Sequence, residues 1–207
     1  MYAFHFCVPR YPNEDEKLRA ASHSRRRGGN CANTLEVLTQ LIHLNDESIT
    51  SPQLHLHLIS VLPAKDSVDV QFIRNSLPNV KIDDGCIFRE DQESAASSYI
   101  IQAIENNSRT IVSHVPLTEM TTQEFTSRAS TISGGGEARR DWYHFEGRIP
   151  DVTGESVRWL RENLPSTRVS VECEKPERKY MELVSRDADV VFFSKLWAQN
   201  YDLLRVV

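Results

Sequence analysis

The residues with the clearest chemical potential lie at positions 25–34, where the sequence reads RRRGGNCANT. Gly28 and Gly29 permit a tight turn and let a ligand approach the backbone closely. Asn30 and Asn33 follow at the start of a predicted helix, where free backbone amides and the positive end of the dipole attract polar or anionic groups. Their side-chain amides both donate and accept hydrogen bonds, which suits the hydroxyls of a sugar. Local pattern alone favours a plainer interpretation, a glycine loop with Asn30 as N-cap, because short glycine motifs give many false positives.

A second group of polar residues follows three predicted strands in the C-terminal half. Strands at 142–145, 169–173 and 190–193 alternate with helices at 152–163 and 177–184, which indicates βαβ units and a parallel sheet. The residues directly after these strands are Glu146, Gly147 and Arg148, then Glu174 and Lys175, then Ser194 and Lys195. Because open parallel sheets bind ligands at the carboxyl ends of their strands, the sequence predicts a site at this edge.

The first half of the chain predicts an α/β pattern that a β-rich stretch interrupts. Apolar spacing predicts helices at 33–44 and 68–77 and a strand at 54–62. Between 80 and 116 the pattern changes to short strand-like runs, namely 86–88, 98–104 and 110–115, with turn residues at 106–108 between the last two. This texture is typical of antiparallel hairpins and predicts a small β appendage on an α/β body. Thr121 and Glu124 have capping-box spacing and predict a helix start.

Composition excludes several classes of protein. The net charge of -5 and the pI near 5.8 argue against general nucleic-acid binding. An apolar run of eighteen residues, long enough to span a membrane, does not occur in the sequence. The four cysteines are far apart and form no C-x-x-C pair, which fits free thiols in a reducing compartment. We therefore expect a cytoplasmic protein that binds neither nucleic acid nor membrane.

Several short segments occur in an order that a known family shares. They are YPNED at 11–15, RRRGGNCANT at 25–34, NSRTI at 107–111, HFEGR at 144–148, SVECEKP at 170–176 and DVVFFSK at 189–195. Each is weak alone, but their ordered combination covers roughly residues 9 to 197. The chain resembles the pfkB (ribokinase-like) carbohydrate kinases and, within them, the ketohexokinase branch.

The resemblance implies a fold and a reaction. The fold would be one ribokinase-like domain over residues 1–207, with a doubly wound, mainly parallel sheet and a small β-sheet lid near residues 14–27 and 83–116. The reaction would transfer the γ-phosphoryl group of ATP to a hydroxyl of a ketohexose or similar sugar with Mg²⁺, relying on positioning and charge stabilisation. In such kinases the lid covers the sugar and often forms a homodimer contact.

Carried over by position, the family's sugar contacts fall on Gly29, Asn30 and Asn33. Arg109 would reach the nucleotide or its phosphates, since a forked cation suits phosphate oxygens.

The residues at the predicted sheet edge receive less specific roles from the resemblance. Glu146 would contact the substrate, Lys175 the nucleotide, and Glu174 is the candidate metal ligand. For each of these three residues, a structural salt bridge explains the sequence equally well.

Two departures from the family pattern lead to further expectations. The sequence contains no Gly-Ala-Gly-Asp, the motif that carries the family's catalytic aspartate, and Phe4 occupies about the place of an early sugar-binding aspartate. We therefore expect a sugar kinase shortened at both ends, without a catalytic residue and with little turnover of its own. The alternative is a non-catalytic sugar-binding or dimerising module derived from such a kinase.

Overall fold

The computed structural model describes residues 1–44, 54–134 and 141–200. The chain divides into two compact units: Met1–Ile82 with Cys86–Glu119, and Asp83–Gly85 with Met120–Val207. The prediction of one domain over 1–207 stays a prediction. None of the helices in the described part of the chain is long and apolar enough to cross a membrane.

Most of the predicted elements occur, in the predicted order, and the structure adds strands at Tyr2–Val8, Ser22–Arg27 and Val80–Lys81 and a helix at Lys195–Asn200. In sequence they are β1 (Tyr2–Val8), β2 (Ser22–Arg27), α1 (Asn30–Leu44), β3 (Leu56–His57), β4 (Val61–Pro63), α2 (Val68–Ser76), β5 (Val80–Lys81), β6 (Ile87–Arg89), β7 (Ser97–Ala103), β8 (Arg109–His114), α3 (Thr122–Ser133), β9 (Trp142–Phe145), α4 (Pro150–Asn163), β10 (Arg168–Cys173), α5 (Met181–Arg186), β11 (Val190–Phe193) and α6 (Lys195–Asn200).

A four-stranded sheet in the order β2-β1-β7-β8 dominates the first unit. β1 pairs antiparallel with β2 and parallel with β7, while β7 and β8 form an antiparallel hairpin. The turn predicted at 106–108 closes this hairpin: Asn107 has a φ of 56°, and the Asn106 side chain accepts a hydrogen bond from the Ser108 amide at 3.0 Å. This hairpin confirms the antiparallel pairing predicted from the sequence.

The composition of this sheet differs from the segments expected for the lid. Of residues 14–27, only Ser22–Arg27 is a strand, and Ile87–Arg89 pairs with β4 instead. β1, which was not among the predicted strands, lies inside this sheet between β2 and β7. Its Phe4 ring stacks on Tyr99 with ring centroids 5.2 Å apart. Sequence reasoning missed β1 because its role depends on pairing with a segment almost a hundred residues away.

The rest of the first unit packs short parallel strand pairs against α1 and α2. The predicted single strand at 54–62 is wrong, because Leu56–His57 pairs with β5 whereas Val61–Pro63 pairs with β6. α2 begins after Ser67, whose hydroxyl accepts from the Val70 amide at 3.2 Å. A buried apolar cluster joins these elements, including Leu58, Leu62, Val70, Ile73, Ile82 and Cys86.

The second unit contains a three-stranded parallel sheet in the order β11-β10-β9, which confirms the βαβ prediction. Thr121 and Glu124 form the predicted capping box at the start of α3. The helix predicted at 177–184 begins later, at Met181, because Tyr180 adopts the left-handed region with a φ of 71°. Fully buried core side chains include Phe125, Val157, Leu160, Val169, Val171 and Cys173.

Candidate functional site

The turn at residues 28–33, hereafter the glycine–asparagine turn, connects β2 to α1. The Gly28 amide donates to the Met1 carbonyl at 2.9 Å, and the Gly29 carbonyl accepts from the Asn33 amide at 2.9 Å, which closes the first helical turn. Gly29 has a φ of 101°, a backbone conformation that residues other than glycine rarely adopt. Asn30 is therefore the first residue of the helix, and the interpretation of Asn30 as N-cap is wrong.

Arg27 fixes the side chain of Asn33 from the end of β2. One terminal nitrogen of Arg27 donates to Asn33 Oδ1 at 2.9 Å, and the other forms an ion pair with Glu36. The Arg27 side chain is only 4% exposed, whereas that of Glu36 is 48% exposed. No signal in the sequence indicated this role, because a run of three arginines usually lies on a solvated surface.

Arg25 holds the same strand to α2 by a different set of contacts. Its guanidinium lies over the rings of Tyr2 and Phe72, at 4.2 and 4.5 Å from their centroids, and is 3.4 Å from Asp69 Oδ1. Asp69 Oδ2 also accepts from the Ala95 amide at 2.8 Å. Arg25 and Arg27 are thus both structurally engaged, and they hold the strand that leads into the turn.

Arg109 lies far from the turn within the same sheet. It is exposed at the start of β8, opposite Gln102, which in turn pairs with Cys7 of β1. Arg27, just before the turn, pairs with Tyr2, at the other end of β1. Five residues of strand correspond to roughly 17 Å along the sheet. The structure therefore does not bring Arg109 to the predicted sugar residues.

The second candidate region is the strand-end cluster, which consists of Glu146, Gly147, Glu172, Glu174 and Arg178. Arg178 donates to the Gly147 carbonyl at 3.2 Å and pairs with Glu174 at 3.2 Å, so it joins the ends of β9 and β10. Gly147 has a φ of 63°, and a Cβ there would overlap the Glu172 carbonyl oxygen and the Met181 side chain. Sequence reasoning found Glu146 and Glu174 but missed Arg178, which lies beyond the strand end.

The surroundings of Glu146 raise the pKa of its carboxyl. Burial raises the pKa of its carboxyl above the usual value, Arg148 and Arg178 oppose the shift, and the Glu172 and Glu174 carboxylates add to it. Lys175 is exposed beside the cluster.

The cluster does not fit the metal expected from the sequence. In the described ranges, no group of three or more histidine, cysteine, aspartate or glutamate residues is arranged to hold a metal ion. Glu174, the candidate ligand, pairs with Arg178. The geometry therefore supports no step that passes through Mg²⁺.

His144 forms a further polar contact that the sequence did not indicate. Trp142 Nε1 donates to Ser170 Oγ at 2.8 Å, and the same hydroxyl lies 2.9 Å from His144 Nδ1. Burial lowers the pKa of His144, with an opposing effect from Glu172. Through these two hydrogen bonds, Trp142 and His144 of β9 are tied to Ser170 of β10.

Comparison with solved structures identifies the fold. A nucleoside kinase of Methanocaldococcus jannaschii, an archaeal member of the ribokinase family, superposes with a TM-score of 0.62 at 13% identity, over 98% of this chain and 60% of its own. The ribokinase of Giardia lamblia gives a TM-score of 0.66 at 13% identity, over 97% and 61%. The fold is ribokinase-like.

The ribokinase-like chain agrees with a third structure to the same extent. Ribokinase from Thermotoga maritima gives a TM-score of 0.61 at 11% identity, with 100% of this chain and 62% of that chain covered. The chain thus spans about three fifths of the length of these kinases. No protein-family model matches the sequence. Assignment to the ketohexokinase branch stays a prediction.

Proposed function

We propose that this protein is a carbohydrate kinase of the pfkB type that binds a ketohexose or similar sugar at the glycine–asparagine turn. The observation that carries the proposal is the turn itself, in which Gly29 at a φ of 101° places Asn30 and Asn33 at the start of α1. Amide side chains at a helix start can bind sugar hydroxyls. The ribokinase-like fold supports a phosphotransferase, since its solved neighbours are sugar and nucleoside kinases.

The nucleotide half of the proposal concerns ATP and the charged residues outside the turn. Two similar structures contain nucleotides. The ribokinase of Cryptococcus neoformans was solved with ADP, and that of Arabidopsis thaliana with ribose and ATP. Arg109 in the first unit and Lys175 in the second remain the candidate nucleotide contacts, and Glu146 remains the candidate substrate contact, each carried over from the family resemblance. Glu174 pairs with Arg178 and is not proposed as a metal ligand. Cytoplasmic location is part of the same proposal.

A binding experiment tests the sugar site directly. We expect D-fructose, or another sugar of a ketose and aldose panel, to bind the 207-residue chain in calorimetry. Asn30→Ala and Asn33→Ala should each weaken binding by roughly 5-fold, since a lost hydrogen bond contributes about 1 kcal/mol. Gln40→Ala, exposed on the same helix, is the control and should bind normally. Absence of binding by every sugar would contradict the proposal.

A coupled ADP-release assay on the same chain measures its turnover. We expect little ADP release, because the sequence contains no Gly-Ala-Gly-Asp motif. Sugar-dependent ATP consumption at a rate typical of sugar kinases would support an active kinase and contradict this expectation. Sugar binding without ADP release agrees with it, and agrees equally with the alternative, a non-catalytic sugar-binding module.

A dimerising role is the second candidate, and the exposed strand β8 favours it. All six residues of β8 are exposed, and its apolar Ile111 and Val112 are 47% and 58% exposed. Unpaired strand edges and apolar patches promote association. We expect the chain to sediment as a homodimer and Val112→Lys to sediment as a monomer, with Thr110→Lys as an additional probe of the same strand. A monomeric wild type would contradict this candidate.

A further inference from the structure

The chemistry that the glycine–asparagine turn presents to a ligand depends on Arg27. We propose that Arg27 is a positioning residue that holds the Asn33 amide in one orientation, so that Asn33 directs its NH2 donors towards the ligand. The inference rests on the proposed sugar site and specifies which ligand atoms that site recognises.

The orientation follows from the donor inventory of the two side chains. A guanidinium carries only N–H donors, so the Asn33 atom 2.9 Å from it must be the acceptor, Oδ1. The amide is planar, and Nδ2 therefore lies on the far side of the group from this contact. Rotating the amide by half a turn would place donor against donor at the guanidinium and leave a buried donor unpaired.

Arg27 is held firmly enough to impose this orientation. Its side chain is only 4% exposed, its backbone pairs with Tyr2 in β1, and its second terminal nitrogen is paired with Glu36. The Arg27 Nε has no hydrogen-bond partner among the described residues. The contacts with Asn33 and Glu36 are therefore made by the two terminal nitrogens. Asn33 and Glu36 are three residues apart and share one face of α1. One arginine therefore fixes both residues of this face.

The consequence is a preference for electron-rich oxygen atoms. Asn33 Nδ2 can donate to a hydroxyl oxygen, a carbonyl or a phosphate oxygen, but it cannot accept from a ligand. The N-terminus of α1, fifteen residues long, favours the same partners, because its free amides and dipole are also positive. Both features disfavour a ligand with an ammonium group at this position.

The test uses Asn33→Asp, which keeps an acceptor for Arg27 and replaces the outward NH2 by oxygen. We expect unchanged folding and a loss of D-fructose affinity of roughly 10-fold or more. Arg27→Met should also weaken the binding of D-fructose. Arg26→Met, at the exposed neighbouring position, should leave this binding unchanged. In ¹⁵N-resolved spectra, D-fructose should shift the Asn33 NH2 signals of the wild type, and Arg27→Met should alter these signals without sugar.

The outcomes distinguish this inference from the proposed function. Sugar binding by the wild type, together with normal affinity of Asn33→Asp, would overturn the donor assignment while the sugar site stands. If no sugar binds the wild type, both the proposed function and the ligand part of this inference fail. Unchanged Asn33 NH2 signals in Arg27→Met would overturn the positioning role whatever the sugar result. Should Arg27→Met fail to fold, Asn33→Asp alone decides the donor assignment.

Discussion

The glycine–asparagine turn and the strand-end cluster share two features, a glycine with a positive φ and a nearby arginine, but they leave different groups available to a ligand. Each contains a glycine with a positive φ, Gly29 or Gly147, and each has an arginine that occupies nearby oxygen atoms. In the turn, Arg27 takes the oxygen of a neutral amide, which leaves amide donors for a ligand. In the cluster, Arg178 takes a carboxylate and a carbonyl, so its strongest acceptors are paired within the protein. The arginine's partner therefore decides what each region offers to a ligand.

The largest expected effect is a loss of folding stability on substitution of Gly147, which should exceed the loss at Gly29. Gly147→Ala should destabilise the protein by about 3 kcal/mol or more, because the new Cβ meets the Glu172 carbonyl and Met181 as well as an unfavourable φ. Gly29→Ala should cost about 1–2 kcal/mol, since the one neighbour of its Cβ within the described part of the chain is Ala32, at 3.9 Å. Urea unfolding measures both.

Gly134→Ala supplies the control for these substitutions. Gly134 has a φ of 62°, nearly that of Gly147, but among the described residues no heavy atom lies within 4 Å of the position that a Cβ would take. We expect a loss of about 1 kcal/mol from backbone conformation alone. Equal losses at Gly134 and Gly147 would show that overlap with the Glu172 carbonyl contributes nothing.

An intermediate effect is expected from Arg178→Met. The substitution removes the ion pair with Glu174 and the hydrogen bond to the Gly147 carbonyl, so we expect a loss of about 1–2 kcal/mol. It should also raise the pKa of Glu146 further, because Arg178 is one of the cations that oppose its upward shift. Carbon-detected NMR titration of the Glu146 carboxyl checks the pKa. Lys179→Met, at the exposed neighbouring position, should change neither quantity.

The smallest effect concerns acid sensitivity of the second unit. The pKa of Asp189 is held at about 2, first by hydrogen bonding from Arg161 and then by the Val169 amide and Arg168. A lowered carboxyl pKa contributes stability that is complete above the unfolded value of 3.8 and is lost as pH falls towards 2. Asp189→Asn should flatten the dependence of the urea midpoint on pH between about 5 and 2. If the urea midpoint of Asp189→Asn depends on pH as steeply as that of the wild type, Asp189 is not the source of the stability lost in acid.

Local patterns in the sequence predicted much of the second unit and the position of the turn. The capping box at Thr121 and Glu124 needs only neighbours three residues apart, and strand–helix alternation predicted the parallel sheet. The hairpin turn at 106–108 was likewise visible, because Asn107 tolerates a positive φ. Two glycines followed by two asparagines marked the candidate site through residue type and spacing alone.

Tertiary structure decided which groups act together, because those contacts join residues that no local pattern connects. The central place of β1 depends on pairing with β7, and the break in the predicted strand at 54–62 depends on two different partners. The burial of Arg27 against Asn33 and Glu36 appears only once the elements pack. The same holds for the hydrogen bond from Arg178, in the segment after β10, to the Gly147 carbonyl just beyond β9. The sequence determined where polar side chains lie along the chain; packing determined which of their donors and acceptors remain for a ligand.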